Sequence, residues 1–254
     1  MTSPADSPKS QVIALVPVQG KRLYRELLRG KPLLVHTLDA AKDSRLVDRI
    51  IVTTEDEETA ELARREGAET PFLRPRELAG PGVPLERVLQ HAVGWLEEHE
   101  GNAVDVVVLL EVSHPFRLPG LIDKIVETLV REDWDSVFVA CEENANFWYQ
   151  EKGRLTPVGE SSHAPRSERK PIYREISGMV CATRGEIIKR GDRLGYRVGM
   201  VPIRDLAGRV DVRSGIDLKI AELLFPAWES ALRHNGREGG HEGGREVESK
   251  KPGA

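Results

Sequence analysis

The sequence predicts an α/β fold, a mostly parallel sheet with helices packed on both of its faces. Three observations carry that expectation. Short, unbroken, β-branched apolar runs recur through the first 140 residues, stretches with helical apolar spacing lie between them, and turn or capping residues stand at the junctions. Strands covered on both faces read as continuous apolar runs, whereas half-exposed strands alternate, so the pattern favours parallel pairing.

Val12 to Val18 is the first such run and ends at Gln19-Gly20-Lys21, a strand followed by a turn. Gly30-Lys31-Pro32 introduces Leu33, Leu34, Thr37, Leu38 and Ala41 at helical spacing, with proline near the helix start where its missing N–H costs nothing. Arg49 to Thr53 is a second strand. Thr54, with Glu57 three residues on, has the form of a capping box ahead of a helix over Glu58 to Arg65. Leu85, Val88, Leu89, Ala92, Val93 and Leu96 mark an amphipathic helix, and Val104 to Leu110 another buried strand. Gly120 to Glu132 adds a helix and Ser136 to Ala140 a strand.

The rhythm then breaks. Phe147-Trp148-Tyr149, Gly153 and the polar stretch Glu160 to Lys170 predict a hairpin and a long loop, and loops of that length in compact domains tend to serve function or contacts. The sheet resumes with Gly178 to Thr183 and Tyr196 to Ile203. A closing helix over Asp217 to Leu232 presents Leu218, Ala221, Phe225, Trp228 and Leu232 on one face. The expected organisation is one domain over 11–232, a flexible stretch 1–10 before it, and a disordered tail 233–254 rich in Gly, Glu, Arg and Lys.

A formal net charge of -4 argues against a broad basic face for nucleic acid, whose phosphates are bound by Lys and Arg. No apolar run has membrane-spanning length, and the polar opening does not form a signal peptide, so no membrane partner is expected. Cys141 and Cys181 form no CxxC pair and sit in apolar runs, which fits buried thiols in a reducing cytoplasm.

Ligands of doubly wound sheets bind beyond the carboxyl ends of the strands. That singles out Pro17 to Arg22, Glu55-Asp56, Glu111 to Arg117 and the segment around Asp211. Gln19-Gly20-Lys21-Arg22 joins a glycine whose backbone can approach a phosphate to two cations that can neutralise it. Alone, the turn reads better as an ordinary strand exit with solvated cations. Neither GxxxxGK[ST] nor GxGxxG is present, which excludes a P-loop and counts against a dinucleotide-binding oxidoreductase.

Several short patterns follow in order: Val16-Pro17-Val18, Gly30-Lys31-Pro32-Leu33, Pro71-Phe72-Leu73-Arg74-Pro75 with Glu77-Leu78-Ala79, Leu110 to Arg117, Arg166 to Gly178, and Asp211 with Asp217-Leu218 and Ala221-Glu222. From about residue 11 to 225 this succession resembles the acylneuraminate cytidylyltransferase family. The resemblance implies a Rossmann-like domain with a small dimerisation insertion near residues 142–175, hence a homodimer. It also implies a reaction in which a nonulosonate-like sugar acid attacks CTP, with Mg2+, to give a CMP-sugar and pyrophosphate.

The site residues it implies are Pro17, Val18, Gln19, Gly20, Arg22, Lys31 and Arg74 on the nucleotide, and Lys21 for charge stabilisation at the α-phosphate and leaving pyrophosphate. Asp211 would hold the metal, since hard cations take carboxylate oxygens. Glu111, Ser113, Arg166, Tyr173 and Gly178 would face the sugar, with Arg166 on its carboxylate across the dimer. Arg74 also admits a bland reading as a surface arginine at a helix start.

The chain departs from the family pattern at several places. The first loop is shorter, and Gly80-Pro81-Gly82 replaces an aspartate with small hydroxyl residues that would line base and ribose. Glu111 replaces glutamine, which would repel a sugar carboxylate and suit an amine or neutral hydroxyl instead. Arg213 replaces the second aspartate of an Asp-x-Asp, so it either weakens a two-carboxylate metal site or supplies the cation itself. Two further readings stay open: a non-catalytic relative that binds nucleotide or sugar, and a glycosyltransferase of similar sheet order, disfavoured because Glu111-Val112-Ser113 lacks an Asp-x-Asp.

Overall fold

A computed structural model of the chain describes residues 11–19, 27–101, 103–143, 145–158, 170–204 and 207–235. The first half contains β1 (Val12–Pro17), β2 (Leu27–Leu28), β3 (Lys31–Pro32), α1 (Leu33–Lys42), β4 (Arg49–Thr53), α2 (Glu57–Arg65), α3 (Leu85–Glu100), β5 (Val106–Leu109) and α4 (Leu121–Arg131). The second half contains β6 (Ser136–Glu143), β7 (Trp148–Glu151), β8 (Arg154–Pro157), β9 (Ile172–Glu175), β10 (Cys181–Arg184), α5 (Gly185–Lys189), β11 (Val198–Ile203) and α6 (Gly215–Asn235).

The main sheet has the order β11-β6-β10-β5-β1-β4, with β9 paired to β6. Strand β1 pairs in parallel with β4 and with β5, and β11 in parallel with β6, whereas β10 is antiparallel to both β5 and β6. The sheet is therefore mostly parallel, with β9 and β10 running against the others.

The unbroken apolar run of β1 is explained by its two faces. Ile13 and Leu15 enter one core layer with Leu89, Val93 and Leu96 of α3 and Ile188 of α5. Ala14 and Val16 enter the opposite layer with Leu34 and Leu38 of α1 and Ile125 and Leu129 of α4. All of these residues are buried, and each large one stabilises the fold by about 1.5–3 kcal/mol. A third cluster, Leu28, Leu33, Phe116, Val212, Ala221 and Phe225, seats α6 against β2, the start of α1 and the loop after β5, with Phe116 and Trp228 edge to face at 5.3 Å.

Several boundaries differ from the sequence expectation. The cap of α2 is Asp56, not Thr54: its Oδ2 accepts from Thr59 N at 3.1 Å and Thr59 Oγ1 at 2.7 Å, so the helix starts at Glu57. A carboxylate one residue before the helix reaches the free first-turn N–H groups that a capping-box threonine would otherwise serve. Strand β6 continues to Glu143 because β9 gives it a partner there. Residues 177–179 form a turn ahead of β10, and α6 continues past Leu232 to Asn235. The expected flexible start 1–10, and the expected tail from 236 on, lie outside the described residues.

The hairpin is present as β7 and β8. Cys141 and Cys181 are free and buried, and burial pushes the Cys181 thiol up to about 12. Among the described residues, no helix is long and apolar enough to cross a membrane.

Candidate functional site

From β1 the chain builds β4 on one side, while β5 lies on the other, so the strand order reverses between β1 and β5. That is where a doubly wound sheet opens a crevice at its carboxyl edge. A cavity of about 300 Å3 lies there, lined by Pro17 and Gln19 after β1, Glu111 and Ser113 after β5, Arg74, and Arg213 ahead of α6. Leu78, Gly80, Val83, Leu85 and Val88 form its far wall.

The β1 side of the rim is tied by hydrogen bonds. Val18 N donates to Thr53 O at 3.0 Å. Gln19 Nε2 donates to Ala79 O at 2.7 Å, joining the strand end to the far wall. Arg74 is buried, not a surface residue. Its Nη2 donates to the Val18 carbonyl and to Glu55 Oε2 (2.6 Å for the carboxylate), and its backbone N donates to Thr54 O at 2.8 Å. The guanidinium thus pins the ends of β1 and β4 together from the cavity wall. Its Nε is buried with no hydrogen-bond partner among the described residues.

The floor is built around Arg117, which the sequence patterns gave no reason to bury. Its Nε donates to Met179 O (2.7 Å), Nη1 to Thr37 Oγ1 (2.9 Å), and Nη2 to Glu111 O (2.5 Å) and Gly178 O (3.3 Å). Burial pulls its pKa down to about 9, which still leaves it cationic at neutral pH. Glu111 N donates back to Gly178 O at 2.8 Å, so one buried cation locks the loop after β5 to the turn before β10.

Ser113 Oγ lies 3.1 Å from His114 Nδ1, and both residues are buried. Burial, then the Arg117 charge, brings the His114 pKa down to about 4, so the ring is neutral. Gly178 packs against this pair: a Cβ there would lie 2.7 Å from His114 Cε1 and 2.9 Å from the Glu111 carboxyl carbon. Only glycine fits without shifting the floor.

The fourth side comes from the segment before α6. Val212 N donates to Ser113 O at 2.7 Å, and Arg213 N to Asp217 Oδ2 at 3.1 Å. The Arg213 side chain then spans two carboxylates, with Nε on Asp211 Oδ2 at 2.6 Å and Nη2 on Glu111 Oε2 at 3.2 Å. Glu111 is accordingly neutralised from within the protein, and does not face the cavity as a free anion. At the expected metal position, Asp211 Oδ2 is held by the Arg213 guanidinium, its Oδ1 is buried with no hydrogen-bond partner, and among the described residues no group of three His, Cys, Asp or Glu is arranged to hold a metal.

Of the residues singled out by sequence, Pro17, Gln19, Arg74, Glu111 and Ser113 line one cavity, Val18 and Gly178 are bonded to its walls, and Asp211 is held by Arg213. Lys31 is elsewhere. Its Nζ lies 2.7 Å from Asp39 Oδ2 in a second cavity of about 220 Å3, beside His36, Asp123 and Trp228. Tyr173 sits on β9 opposite Glu142, away from the lining. Gly20, Lys21, Arg22 and Arg166 lie outside the described residues. Sequence reasoning placed Arg117 at the end of the Leu110 to Arg117 pattern without giving it a role, and missed Val83, Leu85 and Val88 of the far wall.

A family model described as cytidylyltransferase matches residues 18–151. The chain is 27% identical over 233 residues to the CMP-N,N'-diacetyllegionaminic acid synthase of Legionella pneumophila, covering 87% of this chain and 99% of that one. It is 24% identical over 165 residues to a pseudaminic acid cytidylyltransferase of Campylobacter jejuni, covering 61% and 71%. Among solved structures, the 4-diphosphocytidyl-2C-methyl-D-erythritol synthase of Anaerococcus prevotii superposes with a TM-score of 0.63 at 14% identity, over 85% of this chain and 96% of the other. Likeness at that identity speaks to the Rossmann-like fold alone.

Proposed function

The chain belongs to the cytidylyltransferase family, and from that premise we propose that this nucleotidyltransferase activates a nonulosonate-like sugar acid. A sugar hydroxyl attacks the α-phosphate of CTP, a CMP-sugar forms, and pyrophosphate leaves. The observation that carries the reading is the cavity at the strand-order reversal, with Arg74 and Arg213 in its lining, in a chain alignable over 99% of a relative named as a CMP-sugar acid synthase. Electrostatic stabilisation and positioning are the main contributions a protein makes to phosphoryl transfer.

In this reading the base and ribose lie against Pro17, Val18, Gln19 and the Leu78 to Val88 wall, and the phosphates near Arg213; Gly20, Lys21 and Arg22 are the further nucleotide contacts that the family resemblance implies. The sugar approaches over Glu111, Ser113 and Gly178. Cytidylyltransferases use a divalent metal, and magnesium is the one we assign. Arg166 and the 142–175 insertion would meet a second copy: Trp148, Tyr149 and Leu155 of the hairpin are all exposed, which supports a homodimer. The cytoplasm is the compartment that this chemistry suits.

The test is pyrophosphate release in magnesium with CTP and, separately, N,N'-diacetyllegionaminic, pseudaminic and N-acylneuraminic acids, with ATP, GTP and UTP as controls. Release with CTP and at least one acid is expected. CTP-induced thermal stabilisation with no release for any acid would replace the enzyme by a nucleotide-binding relative.

A further inference from the structure

A guanidinium carries five N–H donors in a planar fork, and Arg213 spends only two of them on protein side chains among the described residues, Nε on Asp211 and Nη2 on Glu111. Its side chain is 63% exposed and lines the same cavity as Gln19 and Arg74. The backbone beneath it is fixed by the Val212 to Ser113 and Arg213 to Asp217 bonds. The two acidic contacts also differ: 2.6 Å to Asp211 against 3.2 Å to Glu111.

We propose that Arg213 is the resident cation of this site: it fills the place between Glu111 and Asp211 that a protein-held divalent ion would need, and its unused N–H groups bind the phosphates of the incoming nucleotide. The phosphate half rests on the nucleotidyltransferase reading, and the exclusion of a protein-held ion does not. Two carboxylates and one guanidinium sum to a single negative charge. Without the guanidinium the phosphates would face two bare carboxylates at close range, where like charges repel strongly. The short Asp211 contact keeps the guanidinium in place while the longer Glu111 contact yields to a phosphate oxygen, a group the arginine fork suits equally well. Any divalent ion used in the reaction is then carried by the nucleotide.

Two measurements on the full chain test this. Electron paramagnetic resonance of Mn2+ with nucleotide-free protein should show no binding below millimolar concentrations for the wild type, and a gained site in Arg213→Asp, which sets a third carboxylate beside Glu111 and Asp211. A wild-type Mn2+ site that Asp211→Asn abolishes would overturn the exclusion. Calorimetric titration with CTP in the absence of divalent ions should show Arg213→Gln binding roughly tenfold to hundredfold more weakly, with Arg213→Lys recovering part of the loss. Unchanged affinity in a variant with a native circular dichroism spectrum would overturn phosphate binding by Arg213. Neither readout requires turnover, so failure to find a sugar substrate does not touch them.

Discussion

Both cavities are lined by charged residues, yet they differ in what those charges are free to do. Beside α1, Asp39 holds Lys31 at 2.7 Å and Lys42 at 2.8 Å, and buried Asp123 accepts from Ser44 Oγ at 2.5 Å and Arg45 N at 3.0 Å. At the rim, Arg213 is held by two carboxylates and still presents donors unused among the described residues, while the cations that shape the rim, Arg74 and Arg117, are buried and committed to the chain. The lesson is one of subtraction. A lining cation counts toward a ligand only after its partners within the protein have been taken off.

Arg117 lines the second cavity and holds the loop after β5 that floors the first, and removing it should have the largest effect. Arg117→Met removes four hydrogen bonds made by a charged donor and strands the Met179 carbonyl, while Glu111 O and Gly178 O keep His114 N and Glu111 N as donors; a hydrogen bond to a charged group is worth about 1.5–3 kcal/mol. Urea denaturation should show a loss of at least about 3 kcal/mol, and a loss below about 1 kcal/mol would mean the floor does not depend on that clamp. Gly178→Ala separates the cavities, because it crowds His114 and Glu111 at the rim alone. Overpacking should cost about 1–3 kcal/mol and reduce CTP turnover at least about tenfold, since small displacements of positioned groups are costly, with the second cavity untouched.

His114 gives the rim a pH signature. Its folded pKa of about 4 lies below the ordinary 6.5, so between those values the unfolded chain takes up a proton that the native ring refuses. Stability should be level above about pH 7 and fall as pH drops toward 4, and His114→Gln should flatten this limb in a plot of Tm against pH. An unchanged acid limb would reassign it to other groups. The smallest effect belongs to Lys31→Ala. A half-exposed pair is worth about 0–1 kcal/mol, and turnover should stay within about twofold, because a solvated pair outside the rim supplies no transition-state interaction. A large loss of turnover would join the second cavity to the site.

The layers of the fold were legible because burial on two faces writes itself into consecutive residues. The β1 run follows from continuous burial, the α3 face from a period of 3.6 residues, and the hairpin from the break in rhythm around Gly153. Strand direction has no such mark: Cys181 to Arg184 looks the same read as a parallel or an antiparallel strand. The site was legible only as a set of strand ends. Whether Lys31 or Arg213 serves it depends on which carboxylate each can reach, and the partner of Arg213 on the far loop lies 102 residues away in sequence. Local pattern does not carry that information. The same limit hid the commitment of Arg117 to carbonyls on the turn before β10.

The segment 142–175 leaves from the end of β6 and comes back along the edge of that same strand, Glu143 standing opposite Ile172. Departure and return are therefore stitched side by side, like the two ends of a drawstring. Whatever hangs between them, be it the present hairpin, a longer arm or a bare turn, can be exchanged without altering where Gly178 emerges. The pairing of β6 with β9 thus fixes where the chain re-enters the sheet just ahead of Gly178, so the pocket side of this junction is set by main-chain bonds.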